Sequence, residues 1–382
     1  MLIPRGDAVA LTRALVAIDS RNPTLVPGAP GERECAHFLS SVLTEWGFAV
    51  ELLDQVPGRP NLIARLGPRG KPAVMLAGHL DVVGTAGMTH PPFAADVRDG
   101  RIFGRGSADM KSGIAAMCAA ASNAVRGDSG KSVVVCAVVD EEYESLGMRA
   151  LLESGVSAEC AVLTEPTRLA ICPAHRGFVW MDVNFRGRAA HGSRYDIGVD
   201  AITHAGLLLA ELDRLERRRE NGRKHALLGR GSLHASTISG GVGLSTYPEQ
   251  CQLQLERRTI PGETADQAMA EIASALTRLR QLDPRIHADV SLLTAQLPSD
   301  VAPSSPLVQG LASALRAEGL TAAIEGLSAW TDAALLNEAG IPAVCFGPGD
   351  IARAHAAEEY VAIDEIDSAT RVLARFLVER CN

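Results

Sequence analysis

The chain has 382 residues, 47% of them apolar, with 37 basic and 45 acidic side chains and a net charge of −8. That length suits two domains with ample core, and an acidic balance argues against nucleic acid as a partner. Met1 to Ser20 carries Asp7 and Asp19 where a signal peptide needs an apolar run, and no stretch reaches the roughly 20 apolar residues of a membrane span, so a cytoplasmic location and no membrane partner are expected.

The first elements alternate helical periodicity with short β-rich runs. Helices are predicted over Asp7 to Val16 and Glu32 to Trp46, then strands over Asn61 to Arg65 and Ala73 to Gly78. A helix over Lys111 to Arg126, a wholly apolar strand Ser132 to Val139 and a short strand Ala161 to Leu163 follow. Continuous apolar strands suit a central sheet covered on both faces, so the expected fold is α/β, a mixed sheet flanked by helices. After His175-Arg176-Gly177 the texture changes to strand FVWMDVNF, a long helix from Asp200 to about Arg219, strands near His234 to Ser239 and Cys251 to Glu256, a helix Thr264 to Gln281 and strand ADVSLL. This reads as an inserted α+β domain over 178–294, with the first domain formed by 1–177 and 295–382. Past the Pro/Ser-rich QLPSDVAPSSP, alternation resumes with Leu307 to Glu318, Ala343 to Phe346 and Ile366 to Glu379. The eight cysteines are scattered without a CxxC pair, several in apolar runs, and are expected to be reduced core residues.

The residues that carry chemistry lie at strand ends. VMLAGHLDVV closes a strand with His79 and Asp81, two positions apart and therefore on one side, which suits a metal ligand and a carboxylate that accepts its second N–H. Asp109 in GRGSADMKSG follows a glycine-rich turn and opens a helix, where an N-cap is the plainer reading. Strand SVVVCAVVD delivers Asp140-Glu141-Glu142, whose neighbouring side chains diverge, so one can bind metal while the other serves as base; a solvated acidic turn is the alternative. Glu165 closes AVLTEPT and His355 lies in ARAHAAEEYV. No one of these decides the matter. Together they supply a bridging carboxylate plus one histidine and one further carboxylate for each of two divalent ions, with charges that come near to cancelling. Such a pair of ions activates a shared water and polarises a carbonyl, with Glu141 moving the proton. GxSxG and P-loop patterns are missing, so no covalent nucleophile or nucleotide site competes.

The motifs GHLDVV, GRGSADMK, DEEYES, TEPT, RAAHGSRYDIGVDAI, SGGVGLSTYPEQC, ERRTIPGE and AHAAEEYV, in that order, resemble the co-catalytic zinc peptidase and aminoacylase family over nearly the whole chain. That family includes acetylornithine deacetylase, succinyl-diaminopimelate desuccinylase and glutamate carboxypeptidase. The resemblance implies that His79, Asp109, Glu142, Glu165 and His355 hold two ions, zinc with cobalt or manganese as substitutes, with Asp109 bridging, Asp81 behind His79 and Glu141 as base. Glu165, where relatives vary between Glu and Asp, points to deacylases and carboxypeptidases over aminopeptidases. The resemblance further implies that the inserted domain forms a homodimer and a lid, that His191 reaches the partner subunit's site to stabilise an oxyanion, and that Arg258 holds a substrate carboxylate. Thr331, Asp332 and Gly347 to Gly349 would line the substrate pocket, although a helix start capped by Thr331 explains the first two equally. Ser245, Tyr195 and Asp200 depart from the residues common at those positions and bear on substrate contacts. The expected function is amide hydrolysis of small N-acyl-L-amino acids of the acetylornithine type. Desuccinylase-like and dipeptide carboxypeptidase activities are alternatives, as are a two-metal phosphoesterase and a silent ligand-binding protein, the last disfavoured by Glu141.

Overall fold

The computed structural model describes residues 3–68, 70, 72–124, 130 and 132–381. Two compact units make up the chain. One takes in residues up to Pro173, Val301–Gly326 and the chain from Thr331; the other takes in Ala174–Asp300 and Leu327–Trp330. The expected insert, 178–294, thus sits inside a larger unit. The boundary differs because Ser299 and Asp300 pair antiparallel with His175 and Ala174, which keeps both flanks of the insert together.

In the first unit a mixed sheet runs in the order Ala49–Leu53, Asn61–Leu66, Val133–Val138, Val74–His79, Cys160–Leu163 and Ala343–Cys345. Every residue of Val133–Val138 and Val74–His79 is buried, as expected for β-branched and apolar strands covered on both faces. The helix Ser112–Ala124 packs against Ile363–Cys381 and Ala8–Val16. Its sequence SGIAAMCAAASNA is nearly free of large polar side chains, so it can be buried almost all round. Its expected end at Arg126 lies outside the described residues. Ala8–Val16 begins where Asp7 accepts the Ala10 N–H at 2.8 Å, as a helix cap does. Three short strands, Asp96–Arg98, Arg101–Phe103 and Tyr360–Ala362, form a small antiparallel sheet with no counterpart in the sequence reading.

Four strands, Val74–His79, Val133–Val138, Cys160–Leu163 and Ala343–Cys345, run parallel, so their carboxyl ends lie side by side. Such an edge is where open α/β sheets bind ligands. His79 ends the first strand, Asp140 to Glu142 follow the second, Glu165 follows the third and Gly347 the fourth.

The second unit is an antiparallel sheet in the order Ser232–Gly240, Gln250–Thr259, Gly177–Arg186 and His287–Gln296. Helices Ala201–Arg218 and Ala265–Leu282 cover one face, packing Leu208, Ile272 and Leu276 on Met181, Val183 and Leu253. Asp200 caps the first of these helices by accepting the Thr203 N–H at 2.9 Å. All eight cysteines are buried.

Candidate metal centre

His79 leaves its strand with a ring only 1% exposed, and its Nε2 lies 3.0 Å from Asp109 Oδ1. Asp109 is brought there by the turn Gly104-Arg105-Gly106, in which Gly104 and Gly106 take positive φ; a Cβ at Gly106 would lie 2.6 Å from Val82 Cγ1. The Asp109–Met110 peptide is cis. Ligand atoms of His79, Asp109 and Glu165 all fall within 4.8 Å of one another. So do those of Asp109, Glu142 and His355. His355 Nε2 is 2.9 Å from Glu142 Oε2 and 3.7 Å from Asp109 Oδ2. The five residues therefore form two triads that share Asp109, each with one imidazole and two carboxylates. That is the donor set of a divalent transition ion, with room left in the coordination sphere for water or substrate.

Glu141 lies beside the first triad, its Oε2 3.9 Å from His79 Nε2. Its placement is governed from behind, and there the structure corrects the sequence reading. The His79 Nδ1 lies 2.9 Å from the backbone carbonyl of Asp81, whereas the Asp81 carboxylate is 3.6 Å away. The chain turns directly after the strand, which swings the carbonyl under the ring and frees the side chain. The freed carboxylate accepts the backbone N–H groups of Glu141 and Glu142, each at 3.1 Å, and the Asn22 amide at 2.8 Å. Asp81 thus fixes the segment that carries Glu141 and Glu142. Asn22 also donates to Asp140 at 3.0 Å, and Arg59 bridges Asp140 at 2.9 Å and Glu32 at 2.6 Å. Sequence reasoning missed Asn22, Glu32 and Arg59. Asn22 and Arg59 lie in loops and Glu32 at the start of a helix, and no local pattern announces that their side chains turn inward.

Crowding of carboxylates shapes the electrostatics. Burial, then the charges of Asp109, Asp332 and Glu142, pushes Glu165 up to about 8 against the opposing pull of His79. Burial and the neighbours Glu165, Asp332 and Glu142 likewise hold Glu141 well above the ordinary carboxylate range. His79 is raised despite its burial by the Asp109 hydrogen bond and the surrounding acids, while for Asp109 burial, the largest single influence, is outweighed by His79, His355 and Arg105 together, so its carboxyl is lowered. His355 is pushed up to about 9, chiefly by its hydrogen bond to Glu142. So many acids in a dry volume ionise together only beside cations, and a pair of divalent ions supplies that charge.

Thr331 and Asp332 are buried at the start of helix Ala333–Glu338, where Thr331 Oγ1 accepts the Ala333 N–H at 3.3 Å and lies 3.3 Å from Cys345 Sγ. Burial pushes Asp332 up to about 7, with the Ser145 hydroxyl opposing the rise. Gly347 is a packing position: a Cβ there would lie 2.5 Å from the Thr164 carbonyl and 2.6 Å from that of Glu165. Gly349 donates its N–H to Glu365 at 2.6 Å.

The remaining expected residues belong to the second unit. His191 pairs with Thr246 in an isolated bridge, Gly192 donates to the Ser245 carbonyl at 2.7 Å, and the His191 Nδ1 lies 2.9 Å from Ser193 Oγ. Tyr195, Val242 and Leu244 nearby in sequence are strongly exposed. Arg258 already holds Glu256 at 2.9 Å and stacks over Phe178 at 5.4 Å. Among the described residues, no helix is long and apolar enough to cross a membrane.

Residues 75–379 match the model of peptidase family M20/M25/M40. An acetylornithine deacetylase from Myxococcus xanthus is 30% identical over 344 residues, covering 88% of this chain and 89% of that protein. The aminopeptidase PepT of Bacillus cereus superposes with a TM-score of 0.79 at 21% identity over 99% of both chains, a likeness of fold alone. A dinuclear metal binding peptidase of the M20 family from Bacillus subtilis gives 0.73 at 16% identity, covering 97% of each chain. The chain belongs to peptidase family M20/M25/M40, as a metal-dependent hydrolase of amide bonds.

Proposed function

We propose that this protein is a two-metal deacylase of small N-acyl-L-amino acids, closest in reaction to acetylornithine deacetylation. The observation that carries the reading is the pair of triads sharing Asp109 with Glu141 beside them. His79, Asp109 and Glu165 would hold one ion and Asp109, Glu142 and His355 the other, with zinc favoured by the mixed imidazole and carboxylate donors. When bound, the ions supply Lewis acidity toward the scissile carbonyl and acidify water at the site. Glu141 takes the proton of the attacking water on its carboxylate and delivers it to the departing amine nitrogen. Burial and the flanking acids raise its proton affinity in the metal-free chain, and cations held by Glu165 and Glu142 would offset those charges and favour its ionised form. Asp81 and Asn22 keep Glu141 in position through the backbone.

In the same reading the second unit acts as lid and dimerisation element, His191 stabilises the oxyanion across the dimer, and Arg258 receives the substrate carboxylate. Ser245, Thr331, Asp332, Gly347 and Gly349 contribute to the substrate's surroundings, and the protein works in the cytoplasm. Existing pairing of Arg258 with Glu256 means that a substrate carboxylate must share that guanidinium. The test is amine release from acetyl, succinyl, formyl and peptidyl derivatives of basic, acidic and apolar amino acids. Chelator-sensitive release, greatest for an N-acetyl amino acid, is expected; no release from any member after refilling with Zn²⁺ or Co²⁺ overturns the reading.

A further inference from the structure

The two triads are anchored differently. His79 and Glu165 stand at the ends of central strands and are 1% and 4% exposed. His355 instead lies on a loop between Ile351–Arg353 and Tyr360–Ala362, takes φ of 60°, and has a side chain 54% exposed. The loop has surface ties, from Thr89 N and Oγ1 to the Ala357 carbonyl at 2.9 and 3.3 Å. Its buried tie is Glu359, which is 0% exposed. Glu359 Oε1 accepts the backbone N–H groups of Ala108 at 3.1 Å and Asp109 at 3.2 Å. Glu359 Oε2 accepts from Arg105 Nη1 at 2.5 Å, and Arg105 also donates to the Gly84 carbonyl at 3.1 Å and the Ala356 carbonyl at 3.4 Å. One buried carboxylate and one buried guanidinium thus join the loop after the His79 strand, the turn that carries Asp109 and the loop that carries His355.

We propose that the Arg105–Glu359 pair is a positioning device that acts chiefly on one ion, the one held by Asp109, Glu142 and His355, and less on the ion that shares Asp109 with it. This rests on the two-metal reading above. The other ion has His79 and Glu165 fixed by the sheet itself, so a shift of the His355 loop leaves it two rigid ligands. The second ion has its histidine on a loop whose far end is held by strand pairing of Tyr360–Ala362 with Arg101–Phe103, while the Glu359 side chain ties that end directly to the Asp109 backbone. A buried charge pair is a weak source of stability but a strict source of geometry, because its hydrogen bonds are satisfied in one arrangement.

The experiment titrates chelator-stripped protein with Co²⁺, reading equivalents by calorimetry and ligand-field bands by visible absorption. The wild type is expected to take up two equivalents. Glu359→Gln is expected to lose about 10- to 100-fold in affinity for one equivalent and clearly less for the other, with the absorption retained at low Co²⁺ being that of the His79 ion. His355→Ala should lose the same equivalent and leave the same spectrum. Since Glu359→Gln strands a buried guanidinium, the double variant Arg105→Met/Glu359→Met removes both charges and is expected to fold with the same selective loss. Two equivalents bound by either folded variant with wild-type affinity, or both equivalents weakened equally, overturns the proposal while leaving the two-metal reading intact. Failure of the wild type to bind two equivalents overturns both.

Discussion

Stripped of metal, the protein should lose stability as pH rises, and replacing Glu165 by Gln should flatten that loss. Glu165 is pushed up to about 8 in the folded chain from an ordinary value of 4.5. Between these values the folded state keeps a proton that the unfolded state releases, so stability is greatest at the acid end of the window and falls toward its alkaline end. One such proton is worth about 1.4 kcal/mol per pH unit, and integration from about pH 6 to about pH 7.5 gives a loss of about 2 kcal/mol. For a chain of this size that is roughly 2 to 4 °C in Tm. His355, raised to about 9, works in the same direction above its ordinary value of 6.5, with its half-exposed side chain screened by solvent. Bound Zn²⁺ requires the deprotonated carboxylates, so the same scan with metal should flatten or reverse. Thermal unfolding with a chelator and with Zn²⁺, in wild type and Glu165→Gln, provides the comparison. Equal pH slopes for the two metal-free proteins would refute the claim that crowded carboxylates define the site.

Three further outcomes are expected. Glu141→Gln should retain bound metal by elemental analysis while kcat for amide hydrolysis falls about 10²- to 10⁴-fold; unchanged turnover removes Glu141 from the proton path. Gly113→Ala places a Cβ 1.9 Å from the Thr164 carbonyl, so helix Ser112–Ala124 must move off the strand end that presents Glu165. A loss of about 1–3 kcal/mol with weakened metal retention is expected on urea denaturation and dialysis, and a wild-type midpoint would contradict the packing described. His175 is buried and held down at about 4 from an ordinary 6.5, so it stays neutral when folded while the unfolded chain takes up a proton. Its contribution is present above about pH 6.5 and lost as pH falls toward about 4, up to about 3 kcal/mol; His175→Gln should reduce the difference in urea midpoint between about pH 7 and about pH 5.

The sequence was most informative where one element carries its own signal. The apolar strand that became Val133–Val138 and the helix that became Ala201–Arg218 announce themselves by composition and periodicity. His79, Asp109, Glu142 and Glu165 were legible because each lies at a strand end or after a glycine-rich turn, whereas His355, on a loop with no local signal, was reached only through the resemblance of the motifs taken together. What could not be read was pairing at long range. Nothing local tells that Arg59 reaches Glu32 and Asp140, or that Glu359 caps the N–H groups of Ala108 and Asp109. The assignment of Asp81 as the acceptor for His79 followed from alternation along a strand, but the strand ends at His79, and beyond it the backbone turn decides which atom of Asp81 meets the ring. The small sheet of Asp96–Arg98, Arg101–Phe103 and Tyr360–Ala362 was missed because three-residue strands are too short to show a period.

The central claim is that two divalent ions share Asp109. A crystal grown with Zn²⁺ and measured at the zinc absorption edge addresses it most directly. The account predicts two anomalous peaks, one about 2.0–2.2 Å from His79 and Glu165 ligand atoms, the other equally near Glu142 and His355, and both in contact with Asp109. A single peak, or peaks that leave Asp109 uncoordinated, would contradict it.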